Sequence, residues 1–166
     1  MTHDHEPFAE GGCGCGEIRY RLMVPPIVVH CCHCHLCQQE TGSAFALNAV
    51  IETDNLHVVK GSPEITRRTT GSGAGQEVAV CPTCKTAVWS MFAGAGPQAR
   101  FVRAGTLDNP ALCPPGVYIF TESKLPWVTL PEGAEVFERF YRGSDVPRVY
   151  GERGAARWAA VRAANR

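Results

Sequence analysis

The sequence predicts an all-β domain of small antiparallel sheets with two thiolate metal sites and a short C-terminal helix. Three observations lead there. Nine short runs rich in β-branched or aromatic residues are separated mostly by Gly, Pro, Asn or Asp. Cysteines recur at C-x-C or C-x-x-C spacings: Cys13 with Cys15, Cys32 with Cys34 and Cys37, and Cys81 with Cys84. Only the closing segment, "GERGAARWAAVRAANR" (Gly151–Arg166), has the Ala- and Arg-rich composition of a helix.

The elements follow in order. "EIRYRLMV" (Glu17–Val24) alternates broadly and stops at Pro25-Pro26, which a strand does not cross. "IVVHC" is a short second strand that runs into a cluster of thiols, and "HLCQQETG" can make one helical turn. "AFALNAVIE", "LHVVKG", "EITRRTT", "EVAVC", "TAVWSMF", "RFVRAGT" and "VYIFT" supply the remaining strands, at a spacing that suits tight turns. "TGSGAG" (Thr70–Gly75) is a hairpin loop and matches no complete nucleotide-binding motif. In the closing helix, Ala155, Trp158, Ala159 and Arg162 share a face, so Trp158 is expected to dock a peripheral packing helix.

Composition narrows the function. With 166 residues, 45% of them hydrophobic and 19% charged, the chain can bury one ordinary core. Sixteen basic residues balance sixteen acidic ones, which gives no electrostatic case for nucleic acid or an anionic membrane. No apolar run approaches the roughly 18 residues of a spanning helix, and "MTHDHEPFAEGG" lacks a signal-peptide pattern. A soluble cytoplasmic protein is expected, with residues 1–10 (His3 and His5 among them) as a tail, 11–141 as the metal-binding β domain and 142–166 as a C-terminal extension. The sequence assigns no oligomeric state.

The cysteine pattern argues for metal. The count is odd and no secretory signal accompanies it, so a disulfide framework is disfavoured. Cys13 with Cys15, and Cys81 with Cys84 on a turn between two strands, are two chelating pairs, together the complement of a closed tetrahedral zinc. Zinc is favoured over an iron–sulfur cluster by this grouping. A zinc ribbon pairing Cys34 and Cys37 with Cys81 and Cys84 would span far more than the usual roughly 15–20 residues and would strand Cys13 and Cys15. A second site is therefore expected. Neighbours on a strand point to opposite faces, so either Cys31 or Cys32 joins Cys34 and Cys37. Spacing leaves both open.

"GGCGCGEIRY", "CHCHLCQQETGSAF", "CPTC", "AGTLDNP" and "VYIFTESKLPW", in this order, resemble the glutathione-dependent formaldehyde-activating enzyme family, whose relatives include centromere protein V. The resemblance spans roughly Gly11 to Tyr141. It implies a β-tent fold, a structural zinc on Cys13, Cys15, Cys81 and Cys84, and a second zinc at the active site on Cys32, Cys34 and Cys37. Cys31 becomes an extra, packed as a small hydrophobe. Two positions depart from the family pattern: Lys85 stands where Gly is common after the second C-x-x-C, and Tyr118 stands where relatives often carry His. A tyrosine is a poor base at neutral pH.

Three thiolates leave one zinc position open, and the resulting formal charge of minus one makes water activation an unsuitable task. Binding a thiol suits it better. The implied activity is that of a carbon–sulfur lyase of the S-(hydroxymethyl)glutathione synthase type. Glutathione or a similar thiol would enter through sulfur and add to formaldehyde, with the three cysteines as ligands rather than nucleophiles. Other readings compete with it: a non-catalytic zinc scaffold or partner-binding protein, a purely structural second site closed by a fourth ligand such as His33 or His35, or a redox thiol switch. Lys124 and Arg103 are candidates for a glutathione carboxylate. Trp89, Trp127, Phe92, Phe101 and Phe120 read as core or pocket wall.

Overall fold

A computed structural model describes residues 6–70 and 73–165. His3, His5 and two residues of the Thr70–Gly75 loop lie outside the described residues. The chain is mostly β, in two sheets with one C-terminal helix. Strands β1 (Ala9–Gly12), β2 (Arg19–Leu22) and β5 (Leu56–Lys60) form a three-stranded antiparallel sheet in the order β1-β2-β5. The second sheet has seven strands. Its members are β3 (Val28–Cys32), β4 (Ala46–Glu52), β6 (Glu64–Arg68), β7 (Gln76–Val80), β8 (Ala87–Phe92), β9 (Ala99–Arg103) and β10 (Val117–Ile119), ordered β10-β3-β4-β9-β8-β7-β6.

Each of the nine predicted strand runs contains an observed strand, with bounds shifted by a few residues. Two features of the sheets differ from expectation. The pairing of β10 with β3 is parallel, because β10 returns after a long connection that lets it enter beside β3 in the same direction. Strand β1 opens at Ala9, inside the ten residues assigned to the tail. Its "GG" carries no β propensity, and close packing accounts for it instead: a Cβ on Gly12 would meet the Ile18 carbonyl at 2.2 Å.

The large sheet is covered on both faces, which explains why all five residues of β3 are buried. Registry puts Val29, Ala49 and Val102 in one row, and these pack against Ile18, Tyr20 and Leu22 on the side of the small sheet. The Tyr20 and Trp89 rings meet edge to face there, 5.7 Å apart. The alternate row sends Val28, Val50 and Phe101 to the opposite face, with Val117, Ile119 and Tyr141. That face also receives Tyr150 and Trp158 of the C-terminal helix α2 (Val146–Ala164).

Helix α2 starts before the predicted Gly151, and Gly151 interrupts it at φ 67° and ψ 170°. Trp158 docks as expected, but the contact face is rotated: Gly154 and Val161 are buried, whereas Ala159 and Arg162 are exposed. Gly154 sets this rotation. A Cβ there would sit 2.9 Å from the Ile27 carbonyl, so only glycine lets the helix come this close. Arg157 then forks onto Glu52, with Nε to Oε1 at 2.7 Å and Nη2 to Oε2 at 2.5 Å. Among the described residues no helix is long and apolar enough to cross a membrane.

Candidate metal centres

All nine cysteines are free thiols. Two groups of them converge: Cys13, Cys15, Cys81 and Cys84 in one place, and Cys32, Cys34 and Cys37 in another. Within each group every sulfur lies within 4.8 Å of the others.

The quartet joins two turns. Cys13 and Cys15 follow β1 in the small sheet, and Cys81 and Cys84 link β7 to β8 in the large one. Local backbone bonds shape both turns: the Cys13 amide donates to the Ile18 carbonyl at 3.1 Å, and the Lys85 amide to the Cys81 carbonyl at 3.0 Å. Amides also point at sulfur, from Ile18 to Cys13 at 3.2 Å and from Cys84 to Cys81 at 3.5 Å. Zinc–sulfur bonds of about 2.3 Å in a tetrahedron put sulfurs about 3.8 Å apart. The Cys13–Cys15 and Cys15–Cys81 separations are 3.5 and 3.6 Å, so the donor set fits that ion. Hydrogen bonding from the Thr86 side chain and then its amide holds the Cys84 thiol down to about 5. For Cys13, burial acts upward, but the Ile18 amide and the Cys15 and Cys81 thiols outweigh it and lower its pKa. Lys85 takes φ 59°, so the turn keeps the left-handed conformation glycine favours, and strain is stored in a lysine instead.

The trio is built on a strand end and a helix start. Cys32 closes β3, Cys34 is the N-cap of α1 (His35–Thr41), and Cys37 lies in its first turn. The helix is two turns long, twice what was expected from "HLCQQETG". Its cap is a cysteine: Cys34 Sγ accepts the Cys37 amide at 3.4 Å in the place where a Ser or Asp oxygen usually sits. The Cys34 thiol falls to about 2, because Cys32 and then Cys37 donate to it, reinforced by the amides of Cys37 and Leu36. Cys32 is raised because it donates to Cys34 and then to Cys37, and by burial. For Cys37 the Cys32 bond acts downward, but Cys34 and burial lift it to about 12, with the Arg103 charge pulling weakly the other way.

Of the two neighbours Cys31 and Cys32, the folded chain brings Cys32 to Cys34 and Cys37. Cys32 shares a face with Val28 and Val50 and packs in the cluster that holds Cys34 and Cys37. Cys31 points the other way, lies 3.5 Å from His33 Nε2, and is pushed up to about 12 by burial, so it stays a neutral thiol. The histidines do not join the trio. His33 is fully buried beside Phe45 and Tyr118, and His35 is exposed. Among the described residues no imidazole, carboxylate or further thiol lies within 4.8 Å of all three sulfurs.

Other candidates resolve too. Tyr118 pairs with Cys31 in register and stacks on His33, on the sheet face away from the trio. Lys124 Nζ is occupied by the Leu125 and Val128 carbonyls at 3.2 and 2.6 Å. Arg103 is buried and bonded to Asn48 and Glu40. Trp89 is core, Phe120 and Phe101 line the cluster around the trio, and Trp127 is 72% exposed.

Two polar features were missed from the sequence. One is the Asn48–Arg103–Glu40 set. The other is a buried chain in which His30 Nε2 meets the Tyr141 hydroxyl at 2.6 Å and that hydroxyl donates to Tyr150 at 2.7 Å. A polar residue at an inward position of an apolar strand, such as Asn48 in "ALNAVIE", is the signal that points to the first.

The sequence model described as "Glutathione-dependent formaldehyde-activating enzyme" matches residues 8–123, a span that contains every cysteine of both groups. Over 127 residues the chain is 29% identical to a Halomonas elongata protein named "Putative glutathione-dependent formaldehyde-activating enzyme", covering 73% of this chain and 80% of that one. A crystal structure of a Rhodobacter sphaeroides protein superposes with a TM-score of 0.47 at 23% identity, covering 61% of this chain and 92% of the other.

Proposed function

The chain belongs to the glutathione-dependent formaldehyde-activating enzyme family, and we propose that it is a zinc-dependent carbon–sulfur lyase that joins a thiol such as glutathione to formaldehyde or a similar small electrophile. The observation that carries this reading is the donor count. Three thiols converge in the trio, and no fourth donor among the described residues completes it. In this reading Cys13, Cys15, Cys81 and Cys84 hold a structural zinc, and Cys32, Cys34 and Cys37 hold the second. Zinc bound at the trio supplies a Lewis-acidic position that favours the thiolate form of an incoming thiol.

The remaining work falls to the protein. The end of β3 and the first turn of α1 hold three sulfurs in place without a substrate, so little ordering is needed when one arrives. The Leu36 and Cys37 amides carry part of the negative charge that collects on Cys34. Phe101, Phe120, Phe137 and Tyr141 form an apolar wall on this cluster, which limits water near the reacting centre. In the overall reaction a sulfur–carbon bond forms, the carbonyl π pair moves to oxygen, and the thiol proton ends on that oxygen. The reverse reaction breaks the same carbon–sulfur bond. Tyr118 lies on the opposite sheet face, and this reading gives it no proton-carrying role. Nine free thiols suit a reducing compartment such as the cytoplasm.

Exchange spectroscopy on glutathione mixed with formaldehyde tests the proposal. The zinc-loaded protein should accelerate formation of the hydroxymethyl adduct, and Cys34→Ser should abolish the acceleration. Full acceleration by Cys34→Ser protein, or by protein freed of zinc at the trio, would refute it.

A further inference from the structure

Helix α1 carries Cys37, which packs half-buried on the apolar cluster, but none of its residues is fully buried, so apolar contact alone fixes it only weakly on the sheet. A seven-residue helix is also too short to persist alone. Its position depends on polar contacts. Gln38 Nε2 reaches the His33 and Ser123 carbonyls at 2.7 and 2.9 Å near its start. Farther along, Glu40 turns inward, one helical turn beyond Cys37 and on the same side.

Glu40 Oε2 accepts Arg103 Nη2 at 2.8 Å, and Oε1 accepts Gln76 Nε2 at 2.5 Å. Arg103 Nη1 donates to Asn48 Oδ1. The Glu40 and Arg103 side chains are each only 11% exposed. Registry places His30, Asn48 and Arg103 side by side across β3, β4 and β9, on the sheet face that carries Cys32. The guanidinium thus stands behind α1, bonded to its Glu40.

Burying an ion pair costs desolvation that two apolar residues would avoid, so its advantage here is direction rather than strength. A planar fork bonded on both sides fixes the helix in one place, as a greasy contact would not. We propose that Arg103 and Glu40 are positioning residues of the second metal centre: their pair, braced by Asn48 and Gln76, pins α1 so that Cys37 stays in reach of Cys32 and Cys34. This rests on the trio being a metal site. It also gives Arg103 a role other than anchoring a substrate carboxylate, since both of its bonded nitrogens are taken by the protein.

Zinc competition against a chromophoric chelator, with cobalt(II) absorption as a second readout, tests it on the full-length protein. Glu40→Gln is the mild variant and Arg103→Met the stronger one. Each should weaken the second zinc equivalent, by about tenfold or more for Arg103→Met, and alter the cobalt spectrum of that site. Affinity at the Cys13, Cys15, Cys81 and Cys84 site should not change. The double variant should be no weaker than Arg103→Met alone. Folded variants that bind both equivalents with wild-type affinity and spectrum would overturn the positioning role. Wild-type protein that takes up a single equivalent would instead overturn the metal-centre reading, and this proposal with it.

Discussion

Replacing Cys81 with serine should separate the two sheets energetically. Cys81 is fully buried, and its sulfur lies 3.6 Å from that of Cys15, which is 66 residues away in sequence. A metal held by both turns closes a loop of that length. By the chain-entropy relation used for disulfides, such a closure is worth about 4 kcal/mol against the unfolded chain. A serine oxygen is a poor zinc ligand, so the variant holds its ion by three thiols only, and a chelator that spares the wild-type quartet then removes the ion and the closure. Equilibrium urea unfolding in that chelator, followed through Trp89, which packs on Tyr20 between the sheets, reports the change. With a slope of about 2 kcal/mol per molar urea, the midpoint should fall by about 2 M. Wild-type protein treated with a strong chelator should fall at least as far. A midpoint within about 0.3 M of wild type for Cys81→Ser, together with a chelator-insensitive wild type, would mean that packing alone joins the sheets.

Cys37→Ser should remove the second zinc equivalent and the activity, as read by metal analysis and adduct formation. Its stability cost should be well below that of Cys81→Ser, because Cys32, Cys34 and Cys37 lie close in sequence and an ion held by them closes only a short loop. Lys85→Gly relieves a left-handed lysine and should raise stability by about 1 kcal/mol in urea unfolding. Arg157→Met should cost about 1–2 kcal/mol, since the Arg157 and Glu52 side chains are 19% and 22% exposed, between the surface and buried cases. It should also flatten the acid limb of stability. Burial acts upward on the Glu52 carboxyl, but the Arg157 bond and further hydrogen bonds outweigh it and place its folded pKa below the ordinary 4.5. A depressed carboxylate contributes stability above its unfolded pKa and loses it as pH falls through the folded value. Wild-type protein should therefore lose this contribution below about pH 4.5, and Arg157→Met protein should have little of it to lose.

Much of the fold was legible because every strand after β1 announces itself locally. Val, Ile and aromatic runs end at Gly, Pro or Asn, and that chemistry does not depend on what the strand packs against. Both thiol groups were legible for a similar reason, since their ligand spacings are short enough to be set by one turn. Cys32 against Cys31 was different: that choice depends on which face of β3 meets α1, a tertiary fact that alternation alone leaves open. Strand β1 was hidden because its glycines are selected for closeness rather than for β propensity. The parallel entry of β10 and the rotated face of α2 likewise follow from distant partners, β3 and the Ile27 carbonyl. Glu40, Arg103 and Asn48 were invisible as a set because they come from α1, β9 and β4 and meet only in the folded sheet.

Cadmium NMR of protein carrying two cadmium ions tests the open trio most directly, because each ion reports its own sulfur count. The account predicts two signals. One, in the four-sulfur range, should ignore glutathione; the other, in the three-sulfur range, should move into the four-sulfur range when glutathione is added. Two four-sulfur signals before any thiol is present, or a second signal that glutathione leaves in place, would contradict it.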